Sequence, residues 1–217
     1  MNQAAHCATT LGMLKVWLTT DGLLYTSRMT APLEVEVKIL APDLKALEGQ
    51  MRDLHFRCLT PSTHEINTLY DLPGQKLRYR GELLRLRNYG GQWILTHKGK
   101  GKIGRHKSRR ELETAVSDGE QMDAILRALG FAPVFVYEKF RAEWSDGQGH
   151  VVLDHTPIGD IAEIEGKARW IDRTARALNL KPQNYITKSY AELFFDWKRR
   201  TSSKAENMTF REVGARD

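Results

Sequence analysis

The sequence feature that most constrains the fold is a strict two-residue alternation that starts at Leu33. Apolar side chains stand at Leu33, Val35, Val37 and Ile39, and a charged side chain stands between each pair of them. Because a β-strand repeats every two residues, this segment predicts a strand with one apolar face and one charged face. A single strand of this kind is usually solvated on its charged face, so the pattern gains weight only if other strands repeat it.

The same charged alternation recurs in most of the other predicted strands. The charged residues that share a strand face are Glu34, Glu36 and Lys38; Arg85 and Arg87; Arg109, Glu111 and Glu113; Lys139, Arg141 and Glu143; and Glu163 and Glu165. A sheet wetted on one face usually carries Ser, Thr, Gln and Lys there, whereas these faces carry mainly Glu, Arg and Lys. We therefore predict that the charged faces enclose a common cavity and that helices cover the apolar faces.

Turn and helix signals predict the remaining elements. Strands are predicted at 33–39, 65–71, 82–89, 92–98, 107–115, 134–144, 151–155 and 161–166, and helices at 43–56, 119–129, 168–178 and 188–199. Short turns between neighbouring strands, such as Gly90-Gly91, favour antiparallel pairing. Eight antiparallel strands can close into a barrel whose interior holds side chains or one small ligand. The predicted fold class is α+β: an eight-stranded antiparallel β-barrel with helices packed outside.

Composition bounds the domain organisation and the compartment. Residues 31–199 are predicted to form one domain, because no linker rich in Pro, Gly or Ser divides them. Residues 1–30 are expected to be a disordered extension, or the result of a start site upstream of Met29, and residues 200–217 a polar, mobile tail. No apolar run reaches the roughly 18 residues of a membrane span. The two cysteines, Cys7 and Cys58, form no disulfide framework, which favours a cytoplasmic location.

The residue types of the predicted cavity indicate a metal–polyphosphate ligand. The formal net charge of +6 suits nucleic acid, nucleotides or other polyphosphates without choosing among them. Six basic side chains facing inward would repel one another without an anionic guest, and arginine and lysine both recognise phosphate oxygens. Carboxylates in the same cavity would repel phosphate unless Mg²⁺ or Mn²⁺ bridges the two. The six bases are Lys38, Arg85, Arg87, Lys98, Lys139 and Arg141, and the acids suited to the metal are Glu34, Glu36, Asp154, Glu163 and Glu165.

Two other patterns do not support a ligand site. Residues 99–104 match the letters of the dinucleotide-binding motif G-x-G-x-x-G, but they lead into a predicted strand rather than a helix. A basic loop at the cavity mouth, whose lysines steer anions, is the better interpretation. The histidines show no metal-ligand spacing, so the sequence does not support a zinc site. His97 is expected at the surface.

The segment E-V-E-V-K at 34–38 resembles the E-x-E-x-K signature of the CYTH superfamily, also called triphosphate tunnel metalloenzymes. Further matches lie at 84–87, 96–99, 109–113, 138–141, 153–154 and 162–166, so the resemblance covers 33–198. In that family an eight-stranded tunnel binds a triphosphate through basic residues and a divalent metal through acidic ones. The segments 69–71, 80–85 and 107–113 most resemble the class IV adenylyl cyclase branch, whose members do not all make cyclic AMP. The leader before residue 29 departs from the family pattern.

The resemblance implies a role for each matching position. The residues expected to bind the substrate phosphates are Lys38, Arg85, Arg87, Lys98, Arg109, Lys139, Arg141 and Lys188. Three of these, Lys38, Arg87 and Arg141, are expected to be catalytic by stabilising charge that develops during the reaction. The residues expected to hold Mg²⁺ or Mn²⁺ are Glu34, Glu36, Asp154, Glu163 and Glu165.

The expected activity is the conversion of ATP into cyclic AMP and pyrophosphate. One alternative is hydrolysis of inorganic triphosphate or thiamine triphosphate, because the tunnel chemistry is the same and only the nucleophile differs. Another is a non-catalytic polyphosphate- or RNA-binding module, which the twelve Lys and Arg residues within 76–110 support. RNA binding does not require five carboxylates directed at one place, so nucleic acid is not the expected partner. The sequence identifies no adenine pocket and no general base, and it leaves a homodimer open, since family members are often dimers.

Overall fold

The computed structural model describes residues 33–215, so the predictions for residues 1–30 lie outside the described residues. The strands are β1 Leu33–Leu40, β2 Arg57–Asp71, β3 Leu83–Tyr89, β4 Gln92–Lys98, β5 Lys102–Ile103, β6 Lys107–Val116, β7 Ala132–Ser145, β8 Gly149–Thr156 and β9 Gly159–Gly166. The helices are α1 Leu44–Asp53, α2 Lys76–Arg80, α3 Gly119–Ala128, α4 Ala168–Ala177, α5 Tyr190–Thr201 and α6 Phe210–Val213, and a 3₁₀ turn spans Pro182–Asn184.

Eight of the strands close into a barrel. Their order is β1-β9-β8-β7-β2-β3-β4-β6, and β6 returns to pair with β1, all in antiparallel pairs. Closure is visible in β1, where Glu34 lies opposite Arg109 of β6 and Glu36 lies opposite Glu165 of β9. The two-residue β5 only extends the β4 side of β6. The predicted eight-stranded antiparallel barrel with helices outside is confirmed.

The main apolar core lies outside the barrel wall rather than within it. The apolar residues of β1, such as Val37 and Ile39, are buried against helices α1 and α4, which contribute Met51, Trp170 and Ile171. Apolar residues of β7, β8 and β9 extend the same core. Because side chains alternate between the two faces of a strand, this arrangement turns the charged residues of β1 toward the barrel interior.

A second apolar cluster joins the barrel to the C-terminal segment. Helix α5 places Phe194 against Phe135 of β7. Residues after 200 were predicted to form a mobile tail, but Met208 and Phe210 are buried, and the Met208 backbone exchanges hydrogen bonds with Val136 and Glu138. The apolar residues here are too widely spaced to produce a periodic signal in the sequence, which explains the difference.

Strand β2 is longer than the predicted strand 65–71, because it begins at Arg57. The first half of β2 is polar and contains Pro61, which lacks a backbone N–H and normally argues against a strand. The pairing with β7 shifts register between Thr60 and Thr63, which accommodates the proline. The continuous strand then carries Glu65 and Asn67 into the barrel, where both are fully buried.

Helix α3 covers the β3–β4 side of the barrel through Leu126, which packs against Tyr70 and Leu86. As predicted, Asp118 caps this helix, and its side chain accepts a hydrogen bond from the backbone N–H of Gln121 at 2.9 Å. Between residues 33 and 215, no helix is both long and apolar enough to cross a membrane.

Candidate functional site

Charged side chains line the inside of the barrel. Those with less than a tenth of their surface exposed are Glu36, Lys38, Glu65, Arg85, Arg87, Lys98, Lys107, Lys139, Arg141, Asp154 and Glu163. Glu34 and Arg109 lie at the edge of this set, with side-chain exposures of 11% and 12%. Since a buried ion is tolerated only when it is paired or hydrogen-bonded, the partners of each side chain define the site.

Asp154 stands at the centre of the basic residues. Its Oδ1 accepts a hydrogen bond from Arg141 Nε at 2.8 Å, and its Oδ2 accepts from Arg141 Nη2 at 2.8 Å and from Lys139 Nζ at 3.0 Å. The hydroxyl of Tyr190 donates a further hydrogen bond to Oδ2. Burial and, next, the charge of Asp154 raise the pKa of Tyr190 well above its ordinary value.

Glu65 is a second fully buried carboxylate among the same bases. Its oxygens lie 3.5 Å from Lys139 and from Arg87 and 3.7 Å from Arg141, and its Oε1 accepts a hydrogen bond from Asn67. Burial would raise the pKa of Glu65, but the nearby cations outweigh it and hold the pKa far below its ordinary value. Glu65 is therefore ionised at neutral pH.

Lys38 bridges two carboxylates. Its ammonium lies 2.9 Å from Glu36 and 3.1 Å from Glu163, while Glu163 also accepts a hydrogen bond from Arg141 at 2.7 Å. Burial would lower the pKa of Lys38, but the two carboxylates outweigh that effect and raise it. The lysine of the E-V-E-V-K segment is thus a permanent cation inside the barrel.

Lys98 of β4 makes an equivalent bridge between a carboxylate of β1 and one of β6. Its ammonium lies 2.8 Å from both Glu34 and Glu111, and Arg109 Nε lies 3.6 Å from Glu34. Burial opposes it, but a hydrogen bond with Glu34 and the charge of Lys98 hold the pKa of Glu111 below its ordinary value.

Two arginines of β3 link the carboxylates and hydroxyl of β4 and β6 to Glu65 of β2. Arg85 Nη2 donates to Thr96 Oγ1 at 3.2 Å and lies 3.6 Å from Glu113, and Arg87 Nη2 lies 3.5 Å from the same carboxylate. Among the residues that the structure describes, the buried Nε atoms of Arg85, Arg87 and Arg109 find no hydrogen-bond partner. Buried donors without acceptors are rare, and they would be satisfied by the oxygens of a bound anion.

The ion pairs form one connected network inside the barrel. It contains the bases Lys38, Arg85, Arg87, Lys98, Lys107, Arg109, Lys139 and Arg141 and the acids Glu34, Glu36, Glu65, Glu111, Glu113, Asp154 and Glu163. The expectation that the bases need an anionic guest to offset their repulsion is therefore wrong for this protein, because nearly as many carboxylates already do so. The unpartnered arginine Nε atoms remain the better sign of an anion site.

Glu165 lies beside this network, and it makes no ion pair with any residue between 33 and 215. It is partly buried, and burial, together with the charges of Glu34 and Glu163, raises its pKa to about 7. Lys107 is the converse case, because burial and the neighbouring Arg109 and Lys38 lower its pKa to about 8. A carboxylate surrounded by other carboxylates and lacking a cation is the arrangement that a divalent metal relieves.

The acidic residues fit a hard divalent cation by type, because all of them offer carboxylate oxygens. Glu34, Glu36, Glu163 and Glu165 come from the paired strands β1 and β9. Within residues 33–215, however, no three His, Cys, Asp or Glu side chains already converge as ligands of one ion. Glu36 and Glu163 instead face the Lys38 ammonium, so metal binding requires these side chains to change partners.

Lys188 is the predicted phosphate-binding residue that the structure does not bring to the network. Its ammonium pairs with Asp196 on the outside of α5, and about half of the side chain is exposed. The role of Lys188 stays a prediction. His97 was expected at the surface, and its side chain is 41% exposed beside Glu82.

Four residues of the site went unnoticed as site residues in the sequence: Glu65, Asn67, Lys107 and Tyr190. Glu65 and Asn67 share a strand face at two-residue spacing, which could have identified them had the whole of β2 been recognised. Lys107 lies two residues before Arg109, so the same parity rule would have found it. Tyr190 begins a helix, and strand parity gives no signal for it.

Comparison with known proteins agrees with this geometry. A family model described as the CYTH domain matches residues 32–190, which is well over half of the chain. A provisionally named adenylate cyclase of Methanocaldococcus jannaschii is 30% identical over 173 residues, covering 74% of this chain and 98% of the relative. The adenylate cyclase CyaB of Aeromonas hydrophila is 29% identical over 136 residues, covering 60% of this chain and 67% of the relative.

Solved structures share the fold. A provisionally named adenylate cyclase of Vibrio parahaemolyticus superposes with a TM-score of 0.68 at 21% identity, covering 76% of this chain and 99% of that one. A protein of Hippeastrum, described as an adenylyl cyclase candidate with a dominant triphosphatase activity, superposes with a TM-score of 0.56 at 17% identity, covering 75% and 95%. CYTH proteins bind triphosphate substrates and generally depend on Mg²⁺ or Mn²⁺. With the family match, the closed barrel and its charged interior in agreement, this chain belongs to the CYTH family.

Proposed function

We propose that this protein is a metal-dependent enzyme that acts on the triphosphate group of a nucleoside triphosphate, converting ATP into cyclic AMP and pyrophosphate. The observation that supports the proposal most strongly is the buried network of bases in which three arginine Nε atoms lack acceptors. A polyphosphate supplies many oxygen acceptors along one line, which suits donors spread over several strands.

The predicted phosphate ligands project into the interior from several strands. Arg85 and Arg87 project from β3, and Lys139 and Arg141 project from β7. Lys38 approaches from β1, where its ammonium sits between two carboxylates. A triphosphate placed among them would be held by several strands at once, and its charge would compete with those carboxylates for the same cations.

In the proposed reaction the ribose 3′-hydroxyl gives its proton to solvent, its oxygen forms a bond to the α-phosphorus, and the bond from that phosphorus to the bridging oxygen of the β-phosphate breaks. Pyrophosphate leaves with the electron pair. Lys38, Arg87 and Arg141 would stabilise the negative charge that grows on the leaving group and on the phosphoryl oxygens. When bound, Mg²⁺ or Mn²⁺ would add positive charge against the same oxygens. Glu34, Glu36, Glu163 and Glu165 are the residues proposed to hold that metal.

A surface cavity of about 490 Å³ is the proposed place for the nucleoside. It is lined by Arg78, Lys188, Glu192, Phe195, Asp196 and Arg199. Glu192 lies close enough to Lys107 for their charges to affect each other's pKa, so the cavity adjoins the charged interior. The ring of Phe195 offers a flat apolar face, and the Arg78 guanidinium lies 5.9 Å from its centre. A purine could stack here while its phosphates enter the barrel.

Hydrolysis of a triphosphate is the second candidate. The described contacts inside the barrel serve charged groups, and none of them requires a nucleoside. The Hippeastrum protein, which shares this fold at 17% identity, is described as having a dominant triphosphatase activity. The choice between the two reactions depends on whether a ribose hydroxyl or a water molecule attacks.

The test is to incubate the protein with Mg²⁺ or Mn²⁺ and, separately, ATP, inorganic triphosphate and thiamine triphosphate, and then to resolve the products. Cyclic AMP and pyrophosphate from ATP would support the cyclase. Orthophosphate from inorganic or thiamine triphosphate, without cyclic AMP, would favour the triphosphatase. If neither metal allows any triphosphate to be consumed, the enzyme proposal is wrong, and RNA binding that survives EDTA would then favour a binding module.

The nucleoside cavity has its own test. Phe195→Ala should weaken ATP binding while leaving the affinity for inorganic triphosphate unchanged, because only ATP has a base to stack. Trp197→Ala changes a neighbouring aromatic residue of α5 that does not line the cavity, and it serves as the control. Equal effects of Phe195→Ala on the two ligands would place the nucleoside elsewhere.

A further inference from the structure

Within the site, Asp154 is the described acidic residue that accepts the most hydrogen bonds. Its four donors are two nitrogens of Arg141, the ammonium of Lys139 and the hydroxyl of Tyr190. Three of them share Oδ2, which crowds the roughly two acceptor positions of one carboxylate oxygen, and Arg141 Nε donates to Oδ1. Asp154 is also completely inaccessible to solvent. A metal ion at Oδ2 would have to displace one of these donors.

Tyr190 is built into the barrel from outside. It is the first residue of α5, and a capping box between Ser189 and Glu192 fixes the start of that helix. Its ring lies 4.3 Å from the Lys139 ammonium and 5.4 Å from that of Lys38, as measured to the ring centre. The phenol thus contacts two of the proposed phosphate ligands through its face and Asp154 through its hydroxyl.

A neutral donor suits this position better than a cation would. The hydroxyl adds a third donor to Asp154 Oδ2 without adding charge, so Lys139 and Arg141 keep their full attraction to the carboxylate. The ring also stacks on Tyr137 at 5.6 Å, and the Tyr137 hydroxyl lies 3.5 Å from Arg85 Nη1. One aromatic pair therefore supports bases on both β3 and β7.

We propose that Asp154 and Tyr190 form a positioning pair that holds Lys139 and Arg141 in the geometry required for the substrate phosphates, and that Asp154 does not bind the metal. The inference rests on the proposed function, since it assumes that these bases receive phosphate. It replaces the metal role implied for Asp154 by the family resemblance with one derived from its contacts. Groups held in one arrangement before binding lose less freedom when the ligand arrives.

The deciding experiment measures two affinities of the full-length protein by titration calorimetry: Mn²⁺ alone, and inorganic triphosphate in the presence of EDTA. Tyr190→Phe removes only the hydroxyl and keeps the ring. We expect its dissociation constant for triphosphate to rise on the order of 10-fold, because a hydrogen bond to a charged group is lost, and its Mn²⁺ affinity to stay within a factor of two. Tyr185→Phe is the matched control, because the Tyr185 hydroxyl donates to Asp172, which is outside the charged network.

The outcomes separate this inference from the proposed function. If the unaltered protein does not bind triphosphate, both are wrong. If it binds triphosphate but Tyr190→Phe changes neither affinity, or weakens Mn²⁺ instead, only the positioning pair is overturned. Asp154→Asn provides a second readout in case it folds: Mn²⁺ affinity should persist while triphosphate affinity falls further than in Tyr190→Phe. Loss of Mn²⁺ binding in a folded Asp154→Asn protein would identify Asp154 as a metal ligand.

Discussion

Glu65→Gln is predicted to destabilise the protein strongly and yet to leave it able to bind a triphosphate. The substitution keeps the size of the side chain and removes one charge from the most enclosed part of the barrel. Glu65 lies 3.5 Å from Lys139 and Arg87 and 3.7 Å from Arg141. It interacts with all three bases at once, so its loss leaves each of them less compensated.

The magnitude follows from those distances. At an effective dielectric constant of about 20, unit charges about 3.5 Å apart attract by roughly 4–5 kcal/mol for each pair. Desolvation of the buried carboxylate offsets several kcal/mol of that total, and removing one partner of a buried pair typically costs about 3–5 kcal/mol. Asp154 remains beside Lys139 and Arg141, which limits the loss to this range. For a domain of this size, that is a fall in Tm of roughly 6–20 °C.

The assay is guanidinium unfolding followed by tryptophan fluorescence at pH 7.5, with and without inorganic triphosphate. This pH lies above the unfolded-state pKa of a glutamate, so the stabilisation that comes from the lowered pKa of Glu65 is fully present. That stabilisation would be lost only if the pH fell through the folded-state pKa of Glu65. Triphosphate should stabilise Glu65→Gln more than the unaltered protein, because the anion meets bases that have one competitor fewer. Glu48→Gln, which breaks the exposed pair with Arg52, is the control and should cost under about 0.5 kcal/mol. A Glu65→Gln protein as stable as this control would refute the reasoning.

Three further predictions concern other parts of the molecule. Because the pKa of Glu165 is raised to about 7, its ionisation opposes folding, so the stability of the metal-free protein should fall as pH rises from about 4.5 to 7. Glu165→Gln should remove up to about 3 kcal/mol of that fall, as measured by Tm against pH. A Glu165→Gln profile identical to that of the unaltered protein would contradict the environment described for Glu165. Gly119→Ala places a methyl group 2.0 Å from a ring atom of Trp93 and should lower the free energy of unfolding by about 1–3 kcal/mol. Gly49→Ala is the control: it has open space around it and should stabilise α1 by under about 1 kcal/mol. Equal effects of the two variants on thermal unfolding would argue against this packing of Gly119 on Trp93. Arg87→Ala should weaken triphosphate binding at least about 10-fold, as measured by calorimetry. Arg127→Ala, which removes one partner of an exposed ion pair on α3, should leave that affinity unchanged. Similar affinities for the two variants would show that Arg87 is not part of the site.

The barrel could be predicted because its determinants are local and repeated. Strand parity at β1, β3, β6, β7 and β9 predicted which residues share a face, and the structure buries most of the predicted charged residues of these strands inside the barrel or at its edge, whereas Glu113 of β6 is exposed. The first half of β2 escaped prediction because Pro61 and its polar neighbours resemble a loop. Its role depends on pairing with β7, a long-range contact that no local pattern reveals.

The partners of the site residues were harder to predict than the residues themselves. Parity placed Lys38 and Glu163 inside but gave no sign that they would contact each other. Tyr190 reaches Asp154 from a helix that follows the whole barrel in sequence, so only the packing of α5 brings them together. The sequence therefore predicts which acidic and basic residues face the barrel interior, but the partner of each one depends on the three-dimensional contacts.

Titration calorimetry of inorganic triphosphate into the full-length protein, beside orthophosphate and pyrophosphate, tests the central claim most directly. That claim is that the buried bases, with their unpartnered arginine Nε atoms, form a site for a triphosphate. We predict one triphosphate per chain, bound more tightly than pyrophosphate and far more tightly than orthophosphate, with the affinity reduced in Arg87→Ala. Equal weak binding of all three anions, or binding that Arg87→Ala leaves intact, would contradict it.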